Sequence, residues 1–107
     1  MTIDPILLPG KYTTEEVVVS CNFAKRLPQG VGLGAGTATV TATVLTGVDG
    51  SPSAILSGSP SIEGTKVKQF VIAGLTGVTY KLVFTVQTDE STPQKLTEEL
   101  DLPVETP

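Results

Sequence analysis

Apolar and polar residues alternate most regularly in two segments of the chain. Within Gly36 to Thr46, threonines occupy every second position from Thr37 to Thr43, and alanine or valine fills the positions between them. Because successive side chains of a strand point to opposite faces, this segment predicts a strand with one threonine face and one apolar face. Val78 to Thr88 predicts a second strand. The residues on its core face are Tyr80, Leu82, Phe84 and Val86.

Shorter alternations predict further strands. Glu16 to Phe23 predicts a strand with Val17, Val19, Cys21 and Phe23 inward, and Lys66 to Ile72 predicts another. The remaining candidates are Ser53 to Leu56, Ser61 to Glu63 and a last strand from Lys95 to about Val104. In that last strand Glu98 is in phase with the core residues, where an unpaired carboxylate is costly. We therefore expect a local irregularity or an edge position at Glu98.

The fold class follows from this pattern. Helical periodicity is nearly absent, and Gly or Pro interrupts the chain every few residues. About seven strands in about a hundred residues predict an all-β protein, a single immunoglobulin-like β-sandwich of about seven antiparallel strands over residues 11–107.

Residues 1–10 predict an N-terminal arm. Pro5 and Pro9 exclude a central strand there, whereas Ile6, Leu7 and Leu8 form an apolar patch. The arm either packs on its own domain or binds a neighbour.

Composition narrows the class of protein. With 107 residues, 39% hydrophobic and 17% charged, the chain has the composition of one folded domain. A net charge of −4 argues against binding to nucleic acid or to an anionic membrane. No apolar run approaches the ~20 residues of a membrane helix and the N-terminus does not resemble a signal peptide, so we expect synthesis in a cytoplasm. The single cysteine, Cys21, is expected to be a core residue.

The same composition argues against an enzyme. The chain has no histidine, which excludes Ser-His and Cys-His nucleophile pairs and histidine-ligated metals. Its clustered carboxylates, Glu98-Glu99 with Asp101 and Asp89-Glu90, lack the spacing of a calcium loop, and we expect them to be solvated. We predict no catalytic residue, no cofactor and no metal site.

Two segments predict specific structural or binding roles. Leu75-Thr76-Gly77-Val78-Thr79-Tyr80 is typical of a tyrosine corner, in which the hydroxyl of Tyr80 bonds to backbone upstream, and the alternative is a simple hairpin. The basic pair Lys25-Arg26 would bind a partner's carboxylate or would lie in a solvated loop whose Leu27 caps the core. The nearby glycines, Gly30, Gly32, Gly34 and Gly36, lack the residues of a phosphate-binding loop.

Three of these segments resemble small immunoglobulin-like proteins of tailed bacteriophages and prophages. They are Phe23 with the following Ala24 to Gly30, the Leu75 to Tyr80 corner with the following strand, and the closing Leu100-Asp101-Leu102-Pro103-Val104. The resemblance spans residues 11–104 and implies a virion protein, made in the host cytoplasm.

The resemblance implies a non-enzymatic function. The first expectation is a capsid decoration protein that binds the major capsid protein or other virion proteins, through its arm, its loops or an edge strand, as a homo-oligomer or on a lattice. The alternatives are a head-tail joining, neck or tail ring component and, from another class, a receptor- or carbohydrate-binding module. Only Tyr12 and Tyr80 with three phenylalanines are aromatic, which leaves few side chains for stacking on sugars.

Overall fold

The computed structural model describes residues 6–7, 11–27 and 29–105, with only the backbone of residues 6 and 7. In these ranges the chain forms eight strands and no α-helix, which confirms the all-β prediction. The strands are β1 (Ile6–Leu7), β2 (Lys11–Tyr12), β3 (Val17–Asn22), β4 (Thr39–Thr46), β5 (Leu56–Glu63), β6 (Lys66–Val71), β7 (Thr79–Gln87) and β8 (Lys95–Glu105). Two short 3₁₀ helices, Ala24–Arg26 and Pro52–Ile55, lie between them.

The strands form two sheets that face each other. The first sheet has the order β1-β8-β7-β4, with β2 also pairing with β8, and the second has the order β3-β6-β5. β1 and β2 run parallel to β8, and all the other pairs are antiparallel. The expectation that the strands are antiparallel is therefore wrong for β1 and β2. Two-residue strands are too short to be predicted by alternation, and their direction depends on β8, about ninety residues later.

The core lies between the sheets where alternation places it. The four predicted residues of β7, from Tyr80 to Val86, are fully buried, as is Phe23 after β3. In β4, Ala42 is buried whereas Thr39, Thr41 and Thr43 are exposed. Each fully buried large apolar side chain stabilises the fold by about 1.5–3 kcal/mol. The sandwich therefore depends mainly on the inward residues of β3, β6, β7 and β8.

One predicted strand is wrong. Ser53 to Leu56 is not a strand, because Pro52–Ile55 forms a 3₁₀ helix that buries Ile55. Pro52 has no N–H to donate to a neighbouring strand and fixes φ at a helical value, which favours a turn at this point. Leu56 instead begins β5, which continues through the predicted segment Ser61 to Glu63.

The burial of Cys21 leads to a prediction about its reactivity. Cys21 is 3% exposed, and burial together with the Glu98 carboxylate raises the pKa of its thiol from 9.0 to about 11, although Arg26 opposes this shift. Since the thiolate is the nucleophile, we expect the native protein not to react with a disulfide reagent near pH 8, and one thiol to react in guanidinium. Rapid labelling of the native protein would contradict this.

The same shift predicts how stability depends on pH. Between pH 9.0 and about 11 the folded thiol keeps a proton that the unfolded thiol has lost. The contribution of Cys21 to stability is therefore complete below pH 9 and is lost as the pH rises through 11. We expect a Cys21→Ala variant to lack this component of the alkaline loss, measured by denaturant unfolding.

Candidate functional site

Tyr80 fixes the crossover between the two sheets. Its side chain is fully buried, and its hydroxyl accepts a hydrogen bond of 2.9 Å from the backbone N–H of Leu75. The preceding strand, β6, belongs to the second sheet and β7 belongs to the first, so the segment is not a simple hairpin. The hydrogen bond that the sequence predicted for a tyrosine corner is present.

Leu75 and Gly77 contribute backbone groups to this corner. The N–H of Val78 donates to the carbonyl of Leu75 at 3.2 Å, which closes a tight turn with Gly77 at a φ of +80°. A glycine adopts this φ without a steric penalty, whereas most other residues do not. Gly77 also donates its N–H to the carbonyl of Val104 at 2.9 Å, and the side chain of Leu75 is half exposed. The turn is therefore attached to β8 as well as to Tyr80.

A carboxylate that the sequence analysis did not single out completes the corner. The hydroxyl of Tyr80 donates to Oδ2 of Asp49 at 2.6 Å, and the N–H of Ser51 donates to Oδ1 of Asp49 at 2.8 Å. Both hydrogen bonds lower the pKa of Asp49, and the bond from Tyr80 has the larger effect. Its only sequence signal is an Asp-Gly pair in a polar turn, which does not distinguish it from other turn aspartates.

The predicted arm lies along β8 where its backbone is described. Ile6 pairs with Leu100 and Leu7 with Asp101, and further on Lys11 pairs with Val104. The side chains of Ile6 and Leu7 lie outside the described residues, as does all of Leu8. The described backbone therefore pairs with its own domain, and partner binding by these three side chains stays a prediction.

Lys11 is a buried cation that the sequence analysis did not identify. It is 4% exposed, and its Nζ donates to the carbonyls of Tyr12 and Ala73. Burial lowers its pKa, while the carboxylates of Glu15 and Glu16 act in the opposite direction. Lys11 thus joins β2 to the loop that precedes the tyrosine corner.

The two members of the basic pair Lys25-Arg26 differ in burial, since Lys25 is exposed and Arg26 is partly buried. Lys25 is exposed on the 3₁₀ helix, whereas Nη1 of Arg26 donates to Oε1 of Glu98 at 3.0 Å and to the carbonyl of Thr97 at 2.8 Å. Leu27 packs against the core, as the alternative reading of this loop predicted. Lys25 is the member of the pair that remains exposed to a partner.

The expectations of a solvated carboxylate and of a local irregularity at Glu98 are wrong. The alternative of an edge position agrees with the structure, because in the described residues β1 and β2 pair with β8 only from Leu100 onward. Glu98 is 9% exposed rather than solvated, and the register between β7 and β8 continues through it without a bulge. Arg26 neutralises its charge inside the sandwich, so the strand does not need to displace it. The partner lies 72 positions away, which is why no local pattern could identify it.

Two of the other clustered carboxylates, Glu99 and Asp89, have structural partners, whereas Oδ1 of Asp101 is buried without a hydrogen-bond partner in the described part of the chain. Glu99 forms an ion pair with Lys81 at 3.2 Å, and Oδ1 of Asp89 accepts the N–H of Gly32 at 3.1 Å. A Cβ added at Gly32 would lie 2.9 Å from Oδ2 of Asp89, so the glycine permits this close approach. Among the described residues, no group of three or more acidic or cysteine side chains is arranged to hold a metal ion.

An open groove separates the edges of the two sheets at β4 and β5. Its volume is about 620 Å³, and it is lined by uncharged residues that include Thr39, Val40, Leu56, Pro60 and Ile62. Buried Gln69 forms part of the lining, and its Nε2 donates to the carbonyls of Ser57, Gly58 and Phe70. The carbonyls of Ser57 and Gly58 lie where the register between β5 and β6 is irregular, and this irregular part of β5 lines one wall of the groove.

The tyrosine corner predicts how removal of the Tyr80 hydroxyl changes the free energy of unfolding. We expect Tyr80→Phe to lower the free energy of unfolding by about 1–3 kcal/mol, because the N–H of Leu75 loses its partner. Tyr12→Phe, at a tyrosine that is 47% exposed, is the matched control and should change it by less than about 0.5 kcal/mol. Equal effects in urea unfolding would contradict the corner.

Asp49 adds a pH dependence to this comparison. Its pKa is lowered from the ordinary value of 3.8, so its contribution to stability is present above that pH and is lost as the pH falls through the folded value. The difference in stability between wild type and Asp49→Asn should therefore be present at neutral pH and vanish in acid.

The partly buried ion pair between Arg26 and Glu98 predicts unequal effects of replacing the two members of the basic pair. Arg26→Ala leaves Glu98 without its partner and should destabilise the protein by about 1–3 kcal/mol, whereas the control Lys25→Ala should cost less than about 0.5 kcal/mol. Adding Glu98→Gln to Arg26→Ala removes the uncompensated charge and should restore part of the loss. A double variant less stable than Arg26→Ala, by thermal unfolding, would contradict this account.

Comparisons with known proteins add no relative to this description. No family model, no curated protein and no solved structure matches the chain. In the part of the chain that the structure describes, no helix has the length and apolar composition needed to cross a bilayer.

Proposed function

We propose that this chain is an immunoglobulin-like structural protein of the virion of a tailed bacteriophage or prophage, and that it decorates the assembled capsid shell. Its partner would be the major capsid protein or a neighbouring virion protein. In this function the chain adds contact area across subunit boundaries and catalyses no reaction.

The strand order supports the immunoglobulin-like part of this proposal. In immunoglobulin domains the second, fifth and fourth strands form one sheet, and the third, sixth and seventh form the other. Counted from β3 as the second strand, the chain has the same division, with β3-β6-β5 facing β8-β7-β4. The N-terminal strands differ, because β1 and β2 pair with β8 rather than with β3.

The tyrosine corner is the observation that carries the proposal. It is part of the resemblance to phage proteins, and its hydrogen bond from Leu75 to Tyr80 is present. The other two segments of the resemblance contribute to the same core through Phe23, Leu100 and Leu102, each at most 2% exposed.

Several exposed surfaces suit attachment to a shell. Val48 is 87% exposed and lies after β4, next to the Asp49 that accepts a hydrogen bond from Tyr80. Leu75, in the same tyrosine corner, is half exposed. Lys25 is exposed on the 3₁₀ helix after β3, and the edges of β4 and β5 border an uncharged groove. A binding protein that uses such peripheral groups needs no rearrangement of its core.

Copy number per particle tests the proposal. We expect quantitative mass spectrometry of purified particles from the genome that encodes this chain to find on the order of hundreds of copies, because a shell repeats each binding site many times. A dozen or fewer would indicate a neck or tail ring instead, and absence from particles would overturn a virion function altogether.

A further inference from the structure

No described strand pairs with the outer edge of β4, and the other elements near this strand are the 3₁₀ helix Pro52–Ile55 and β5. β4 pairs with β7 along one side, and within the described ranges no strand lies on its other side. None of the described backbone hydrogen bonds outside the strand ladders involves residues 39–46. About half of the N–H and C=O groups of an edge strand point away from its sheet, so β4 presents a row of unpaired donors and acceptors.

This edge lacks the features that usually prevent strands from associating. The eight residues of β4 contain no charge, no proline and no glycine. β5, in contrast, contains Gly58 and Pro60 and has an irregular register between Ser57 and Ser61. The edge of β8 is partly covered by β1 and β2. β4 has a bulge between Val44 and Thr46, which leaves residues 39–44 as the regular part of the edge.

We propose that β4 pairs edge to edge with β4 of a second copy of this chain, antiparallel about a two-fold axis near Thr41. Opposite residues in an antiparallel pair point to the same face, so a register is allowed only if threonine meets threonine and alanine or valine meets alanine or valine. An axis through a residue of β4 satisfies this condition, because the alternation of residues 39–44 reads alike in both directions. Thr41 then lies opposite Thr39, Thr41 or Thr43 of the second copy.

The groove beside β4 suits this neighbour. The first sheet extended by a second β4 covers the groove, and the inward Val40 and Ala42 of the added strand point toward its walls. The lining contains no charged residue, so burying these side chains leaves no charge without a partner. The net charge of −4 repels two copies in general, but the strands that meet carry none of that charge.

The size of the contact sets its strength. Six residues on each side is fewer than the 20–30 a side of a standard interface, so we expect a dissociation constant on the order of tens of micromolar. A contact of this strength forms where copies are concentrated and dissociates on dilution. The inference does not depend on the proposed virion function.

Introducing a charge at Thr41 tests the pairing. Thr41 is exposed, so Thr41→Lys and Thr41→Glu should each fold with the wild-type circular dichroism spectrum. Each should raise the dissociation constant at least about tenfold, because like charges opposite each other on two strands repel. An equal mixture of the two variants should associate again as a heterodimer. Ser61→Glu, on the exposed edge of β5 and opposite Lys68, is the control and should dimerise like wild type.

Sedimentation velocity measures the dimer fraction of the wild type, of each variant and of the mixture. Concentrations between about 5 and 500 µM bracket the expected dissociation constant. A wild-type protein that stays monomeric throughout overturns the proposal. A dimer that Thr41→Lys leaves intact, or a mixture that does not recover, shows that the copies meet through another surface and overturns it equally.

Discussion

A hydrogen bond from the backbone of Leu75 to the hydroxyl of Tyr80 holds the chain where it passes from one sheet to the other. The rest of the sandwich is aligned by the strand that follows. β7 lies between β4 and β8 and sets the register of both, and its four buried residues face the second sheet. A shift of β7 by one residue would turn all four toward solvent. One phenolic oxygen, placed at the start of β7, thus fixes where the alternation begins.

How far the sequence predicts the structure depends on the distance over which each feature is encoded. The strands of the core and the tyrosine corner are each specified within about ten residues, and both were predicted. The ion pair between Arg26 and Glu98 joins positions 72 apart, and the bond from Tyr80 to Asp49 spans 31. Such pairings depend on the fold already being formed. The failure at Ser53 to Leu56 has a different cause, since a four-residue segment with three apolar residues after a proline fits a turn as well as a strand.

The distribution of charge connects the fold to its surfaces. Arg26, Lys68 and Lys81 each form an ion pair within the chain, and Lys11 is buried against two carbonyls. The edge of β4 and the walls of the neighbouring groove, in contrast, contain no charged residue. Neutral surfaces of this kind bind through backbone hydrogen bonds and apolar contacts, which depend less on salt than ion pairs do. The uncharged edges of the sheets are therefore the surfaces at which we expect partners to bind.

The parallel pairing of β1 and β2 with β8 has a mechanical consequence. A force that pulls the N-terminal strands and β8 apart along their length acts perpendicular to the hydrogen bonds between them. Because the strands run in the same direction, such a load is a shear that all of these bonds resist together, whereas an antiparallel hairpin opens one bond at a time from its end. The pairs at Ile6, Leu7, Lys11 and Tyr12 share this load. The edge formed by β1, β2 and β8 therefore resists tension along its strands.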